Sequence, residues 1–490
     1  MKTAWTQRRG THGLFAPLLL ALCFAPWKHE RPPFSEAQPL LEALRETLPA
    51  ELRDVEAKSW SDWLDRHDAE TRARLQRGEE DTLVNLLLFG TSFTHQPRLT
   101  TAQLERLAEK EQTALVAAVR DRARDLVRAA SAPTRDERLT FARQILVEEH
   151  GFDLRTPAGR DLAERYLLTS VARVFAEHAS YARLLAAARA SGDATQEFIA
   201  RSRLYSQRGL SFDTQLPPNY AIEQALATLQ KRGLLTAVRR VAIVGPGLDF
   251  ADKQEGYDIY PVQSIQPFAL MDSLLRLGLA RADELRVVTF DISRRVNDHL
   301  CKAVESARHG QWYELRLPLD ARTPWQRDYV KYWETVGTRI GREAPATAPS
   351  GLPLRLRALR VAPRYVRLVT PLELNVTVER LALAPDQRFD LIIATNVFVY
   401  YDLLDQSLAA LNLTHMIRPG GFLLSNNALL ELPTTPLRSI GYSTTVYSER
   451  PADGDHIVWY QRTEEKAAER KVGSVSTTSA RPAKGAHHDR

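Results

Sequence analysis

The sequence predicts an α/β half built on a buried, mostly parallel sheet, preceded by an all-α N-terminal half. Three observations carry this. First, the apolar run Val241-Ala242-Ile243-Val244 leads straight into Gly245-Pro246-Gly247. An unbroken run of that length fits a strand covered on both faces, as parallel strands are. Second, further apolar strands alternate with helical patterns from there to residue 462, the mark of βαβ units. Third, residues 39–200 keep apolar positions at helical spacing in a background of Ala, Arg, Glu and Leu, all good helix formers.

A chain of 490 residues has room for two or three domains. Its net charge of +6 is a mild basic bias at this length, so no nucleic-acid partner is expected. Cys23 and Cys301 are its two cysteines, too few for a disulfide framework or a cysteine-based zinc site. No metal-ligand spacing and no Ser-His-Asp elbow is visible. At the N-terminus, Lys2, Arg8 and Arg9 precede an apolar run over 14–24. That run is short for a bilayer span but has the form of a secretory signal, with Ser35-Glu36-Ala37 offering cleavage before Gln38. Residues 1–37 therefore read as a signal-like or anchor segment, which implies export or membrane association. The other reading is a short buried helix or a wrongly chosen start.

Residues 38–205 read as a helical domain. Leu40, Leu41, Leu44 and Leu48 share one helix face, as do Leu162, Tyr166, Leu167 and Val171. Thr134 to Glu137 has the form of a capping box. Asn85, Thr91, Ser92 and His95 lie near a helix end and read as a cap and turn. Residues 206–235 form a linker, marked by Pro217-Pro218-Asn219, and a lead-in helix. An amphipathic helix follows over 264–279, then a strand over 285–290 with Asp291 at its carboxyl end, then a helix over 296–307. Residues 308–368 read as irregular. Seven arginines fall between Arg339 and Arg367, and Leu354-Arg355-Leu356-Arg357 alternates at strand period. That pattern fits the solvated face of an edge strand or, on the sharper reading, an anion site. A third strand is expected over 374–378, ending at Glu379, and a fourth over 389–394, leading to Thr395 and Asn396. A helix over 403–416, the turn Arg418-Pro419-Gly420-Gly421 and a fifth strand over 422–425 come next. A hairpin about Asp453-Gly454 closes the domain at 462. Residues 463–490 carry almost no apolar bulk and are expected to be a disordered tail.

This order of elements resembles the class I S-adenosylmethionine-dependent methyltransferases. Its most specific pieces are Phe389-Asp390-Leu391-Ile392-Ile393-Ala394-Thr395-Asn396 and Ile417-Arg418-Pro419-Gly420-Gly421-Phe422. The resemblance covers residues 236–462 and implies a Rossmann-like seven-stranded sheet closed by an antiparallel hairpin. It implies S-adenosylmethionine as cofactor and methyl transfer to an acceptor that the sequence does not name. It places Gly245, Pro246 and Gly247 beside the methionine and ribose part of the cofactor. Asp291 would accept hydrogen bonds from both ribose hydroxyls, Glu379 would lie near the adenine amino group, and Asn396 would follow the fourth strand where methyl and acceptor meet. Tyr400 and Tyr401 would line that pocket, with Asp402 as a base. The plainer reading makes Asp291 and Asp402 helix caps and leaves the glycines only to turn the chain.

Three departures from the family pattern stand out. Ile243 occupies the position two before the first glycine, where the family usually has an acidic residue, and Asp249 replaces its third glycine. Residues 251–263 are inserted; Asp252, Glu255 and Asp258 among them offer replacement carboxylates for the cofactor's ammonium group, or the insertion fills the site. These departures and the signal-like segment support an alternative, a non-catalytic exported or membrane-attached protein on the same fold. A nicotinamide-dependent oxidoreductase fits less well, since Gly-X-Gly-X-X-Gly is missing and the terminal hairpin is wrong for it.

Overall fold

Helices dominate the N-terminal half because its apolar residues recur every three to four positions. The computed structural model describes residues 27–96, 99, 112–190, 209–250, 258–450 and 453–463. A short strand, β1 (His29–Glu30), comes first. It is followed by α1 (Phe34–Ala43), α2 (Ala50–Arg53) and the long α3 (Ala57–Phe89). Next are α4 (Gln112–Ser131), α5 (Glu137–Arg143), which runs into a π-helical turn over Gln144–Glu149, and α6 (Pro157–Ala190). The capping residue of α5 is Asp136, whose side chain accepts from Arg138 N and Leu139 N. Thr134 instead accepts from Asp136 N, so the expected box sits two residues too early. Leu83, Leu87, Val119, Leu126, Phe141 and Ile145 pack into one core that also takes in Phe212, Leu248, Phe250, Val296 and Leu300. The helical half thus shares its core with the α/β half.

That second half begins with α7 (Pro217–Lys231), β2 (Arg240–Val244), α8 (Gln266–Arg276), β3 (Arg286–Asp291) and α9 (Arg294–Arg308). It continues through β4 (Tyr313–Asp320), α10 (Arg327–Thr335), β5 (Gly341–Ala344), β6 (Leu354–Val361), α11 (Pro363–Val366), β7 (Val369–Glu373) and β8 (Arg380–Leu381). It closes with β9 (Phe389–Ala394), α12 (Leu403–Met416), β10 (Ile417–Ser425), β11 (Leu437–Val446) and β12 (Gly454–Arg462). The central sheet has the order β11-β12-β10-β9-β2-β3-β7. From β10 to β7 every neighbour is parallel, and β12 runs antiparallel to both β10 and β11. Val241 and Ile243 point into one apolar layer and Ala242 and Val244 into the other. This is why the run before the glycines is uninterrupted: both faces of β2 are covered. The result is a mixed α/β fold with helices on both faces, compatible with a Rossmann-like methyltransferase. Its parallel strands deliver their carboxyl ends to one edge.

Several expectations are corrected. The third strand is β7, not 374–378, so Glu373 and not Glu379 stands at its carboxyl end, opposite Asp291. Pro371 disguised it; as the terminal strand, β7 tolerates a residue with no N–H to donate. Leu374 and Val376 are buried, but the chain already turns there, with Asn375 accepting from Thr377 N and its hydroxyl. Residues 308–368 are not irregular: β4, β6 and β5 form a three-stranded sheet with β6 central, not at an edge. Arg357 of β6 is buried and donates to Glu343 and to the carbonyls of Trp333 and Val336. The boundary at 37 falls inside α1, where Ala37 is fully buried. β1 pairs with β8, and the buried Arg380 takes Glu30 and Glu36 as partners. A cut before Gln38 would strip both carboxylates from that guanidinium, an expensive loss for a buried charge. The apolar run over 14–24, Cys23 and the tail from 464 lie outside the described residues. Among the described residues no helix is long and apolar enough to cross a membrane.

Candidate functional site

The glycine turn after β2 forms the floor of a cleft at the carboxyl edge of the parallel strands. Gly245 and Gly247 both have left-handed backbone, with φ of 64° and 62°, which glycine adopts without a steric penalty. Gly245 N donates to Phe290 O at 2.8 Å and ties the turn to β3. Neither glycine has room for a side chain. A Cβ on Gly245 would stand 2.8 Å from Val397 Cγ2, and one on Gly247 would stand 2.5 Å from Phe212 O. Asp291, at the end of β3, accepts from Ser293 N at 2.8 Å and from Gly247 N. Burial pushes its carboxyl up to about 7, and the charge of Glu373 adds to the shift. Asp291 closes the turn before α9, whose N-cap is Ser293 and not Asp291, and it lines the cleft.

The roof comes from far away in sequence. Residues 210–214 form a strap between α3 and the glycine turn. On the α3 side, Leu210 N donates to Arg74 O at 3.0 Å, and a Cβ on Gly78 would lie 1.8 Å from Leu210 O. On the other side, Leu248 N donates to Phe212 O at 2.8 Å and Thr214 N donates to Leu248 O at 2.9 Å. Backbone therefore meets backbone on both faces of the strap, and glycines make that possible. The strap brings Ser211, Asp213 and Thr214 to the cleft, and α3 adds Leu75. Leu75, Ile292, Leu374 and Val376 make an apolar wall beyond Asp291; Thr395, Asn396, Val397, Tyr400 and Tyr401 line the opposite end. The space opens to solvent. Asp213 and Asp291 are the two carboxylates that line it, and no Lys, Arg or His does so among the described residues.

Asn396 is the non-glycine residue with positive φ among the described residues, at 59°. Asn is one of the few side chains that tolerate this region. It is held there by Asn426: Asn396 N donates to Asn426 Oδ1 at 2.8 Å and Asn426 Nδ2 donates to Asn396 Oδ1 at 2.6 Å. This pair clasps the ends of β9 and β10. Gln266, the first residue of α8, donates to Thr395 at 2.9 Å. Arg74 of α3 donates to the Tyr400 carbonyl.

Not every sequence-predicted residue reaches the cleft. Asp402 is the N-cap of α12, accepting from Asp405 N at 2.9 Å, and does not line the space. Burial, with the charge of Asp405, raises its pKa to about 6. Tyr401 does line it, but burial pushes its phenol well above the ordinary value. Glu379 turns away and bonds His29 at 3.0 Å. Pro246 is buried and not part of the lining. Asp249 accepts from Tyr260 and from Gln263 at 2.8 Å. Of the inserted carboxylates, Asp252 and Glu255 lie outside the described residues. Asp258 is held by the N–H groups and hydroxyls of Thr91 and Ser92. Burial opposes its charge, yet those bonds keep its pKa below the ordinary value. The Thr91-Ser92 turn thus anchors the inserted segment. Asp213, Gln266, Thr395 and Asn426 were missed. The signal for Asn426 was its place just after the fifth strand; for Asp213 there was none.

No protein-family model and no curated protein sequence matches the chain. Among solved structures, the chain is similar to the magnesium protoporphyrin IX methyltransferase ChlM of Synechocystis PCC 6803, solved with bound SAM. That match has 10% identity over 54% of this chain and 84% of that one, with a TM-score of 0.25. It is similar to the glycopeptide N-methyltransferase MtfA, solved with sinefungin, at 12% identity, 51% and 79% coverage and a TM-score of 0.21. The mitomycin 7-O-methyltransferase MmcR matches 83% of this chain and 99% of its own at 12% identity, with a TM-score of 0.25. Likeness this distant identifies neither a reaction nor an acceptor.

Proposed function

We propose that this chain binds S-adenosylmethionine in the cleft and transfers its methyl group to an acceptor that meets it beside Asn396 and Tyr400. The observation that carries this reading is the charge of the lining. Two carboxylates, with no cation facing the space among the described residues, sit between an apolar wall and a polar end. That suits a ligand with positive charge, hydroxyls and a flat base. It does not suit the pyrophosphate of a dinucleotide, which wants donors and cations around it.

The bound sulfonium supplies an already activated methyl group, so the protein's main contribution is positioning, worth up to roughly 7–11 kcal/mol. Asp291 is fixed by Gly247 N–H and Ser293 N–H, which leaves carboxylate lone pairs for two vicinal hydroxyls. Leu75, Ile292, Leu374 and Val376 offer the base an apolar surface. The Asn396–Asn426 clasp sets the end at which the acceptor arrives. Tyr401, with its raised pKa, stays protonated, and the Asp402 carboxylate is engaged as a cap. Neither is poised as a base, so the acceptor's proton, if it has one to lose, leaves by another route.

The non-catalytic alternative draws on one observation: the strap already packs against the glycine turn that a cofactor would approach. Calorimetric titration of S-adenosylmethionine into the full chain separates the two. Micromolar binding, weakened in Asp291→Asn, supports the methyltransferase reading. No binding by folded protein overturns it in favour of the alternative.

A further inference from the structure

The cleft needs a counter-charge for an amino-acid tail, and the usual place for one is vacant of acid. Ile243, two residues before the first glycine, is fully buried in the core. Asp249, bonded to Tyr260 and Gln263, and Asp258, bonded to Thr91 and Ser92, do not line the cleft. Asp291 is fixed at the end of β3, where the methyltransferase reading uses it for the two hydroxyls. One further carboxylate among the described residues lines the cleft, and it comes from the strap: Asp213.

We infer that Asp213 binds the ammonium group of the cofactor's amino-acid tail, a role moved from the glycine turn to the strap. This rests on the methyltransferase reading. The placement is built. Asp213 pairs with Leu248 in a parallel bridge, so its backbone lies directly beyond Gly247. Its N–H donates to Ser211 Oγ at 3.2 Å, which fixes the local turn of the strap. Gly247 N–H holds Asp291 on one side of the glycine turn while Leu248 holds the strap on the other. A ligand lying along the turn therefore has a carboxylate at each end. With its hydroxyls on Asp291 and its methyl directed to Asn396, its tail reaches the strap. An ammonium in this partly enclosed position donates to a carboxylate of opposite charge, whereas a neutral amide of the same shape accepts the hydrogen bond but supplies no counter-charge.

The test uses three ligands on the full chain, wild type and Asp213→Asn, by calorimetry. S-adenosylmethionine and S-adenosylhomocysteine both carry the ammonium; 5′-methylthioadenosine has the same nucleoside without the tail. Asp213→Asn is expected to weaken the first two by roughly 10- to 100-fold and to leave 5′-methylthioadenosine unchanged, while Asp213→Glu keeps most of the affinity. Unchanged 5′-methylthioadenosine binding also shows that the variant is folded. Equal weakening of all three ligands, or no weakening of any, overturns the assignment while the methyltransferase reading stands. Weakening of S-adenosylmethionine alone would put Asp213 against the sulfonium and also overturn it. If the wild type binds none of the three, the methyltransferase reading itself fails and this inference falls with it.

Discussion

The two walls of the cleft are built in opposite ways. The floor is local: β2, the glycine turn and Asp291 at the end of β3, joined by bonds from Gly245 to Phe290 O and from Gly247 to Asp291. The roof is assembled from distant chain: Gly78 and Leu75 of α3, then the strap, then back to Leu248. A floor made by one motif can be read from the motif. A roof made by crossing backbones leaves no pattern, because its requirement is only that certain residues have no side chain. Gly78 sits in mid-helix, where glycine usually costs stability, and the strap crossing explains it.

The largest expected effect joins both walls. Gly247→Val places a β-branched side chain at φ 62° and against Phe212 O. Left-handed strain and overpacking together should cost about 2–5 kcal/mol, read by denaturant unfolding. A change under 1 kcal/mol, by the order of magnitude of ordinary surface substitutions, would mean that the strap yields freely and is not a wall.

Asp291→Asn tests the floor alone, with an expected loss of about 1.5–3 kcal/mol in cofactor binding. It also carries a pH signature. The raised pKa, about 7, means the folded protein holds a proton that the unfolded chain has released. The associated stability is full below the ordinary carboxylate range and is lost as pH rises through about 7. Wild type should therefore lose melting temperature relative to Asp291→Asn on going from acid to neutral pH. Binding of 5′-methylthioadenosine, which needs the ionised carboxylate, should tighten over the same interval. Parallel pH profiles for the two proteins would remove Asp291 from the site.

Gly78→Ala tests the roof alone. Its methyl would press on Leu210, at an expected cost of about 1–3 kcal/mol, and should displace the strap. Weaker S-adenosylmethionine binding with the Asp291 pH profile intact would show that the walls act separately. Unchanged binding would show that the strap adds nothing. The smallest effect belongs outside both walls. Asp402→Ala should cost about 1 kcal/mol in stability as a lost helix cap and leave cofactor affinity where it was. A large loss of turnover without a loss of stability would restore Asp402 as a base.

The same contrast accounts for what the sequence made legible. The α/β alternation, the glycine turn and Asp291 each depend on short-range pattern, and each stands where the pattern put it. The closing hairpin forms too, but Gly454 is already paired with Val446, so its loop lies before the Asp453-Gly454 pair expected as the turn. Glu379 was misplaced because Pro371 broke the strand pattern and the alternation of Leu374, Val376 and Val378 imitated one. Asp402 was a cap that shared the position of a base. The sheet of β4, β5 and β6 was hidden by its arginines, since Arg357 is buried through bonds that only the folded chain supplies. Asp213 was hidden because nothing nearby in sequence marks it; it pairs with Leu248, which follows the glycine turn.

The strap also has a bearing on how the cleft comes into being. On the ribosome, α3 emerges first, the strap next and the glycine turn last, and domains tend to fold in that order of appearance. The contact of Leu210 with Gly78 closes a loop that takes in most of the helical half, an entropic toll that grows only slowly with its length. Once that loop is closed, the strap presents Phe212 O and Thr214 N as an unpaired edge, and the newly made Leu248 can add to it as one strand adds to another. The helical half thus works as a template on which the glycine turn is cast, and a chain started at 236 would make the floor with nothing to shape it.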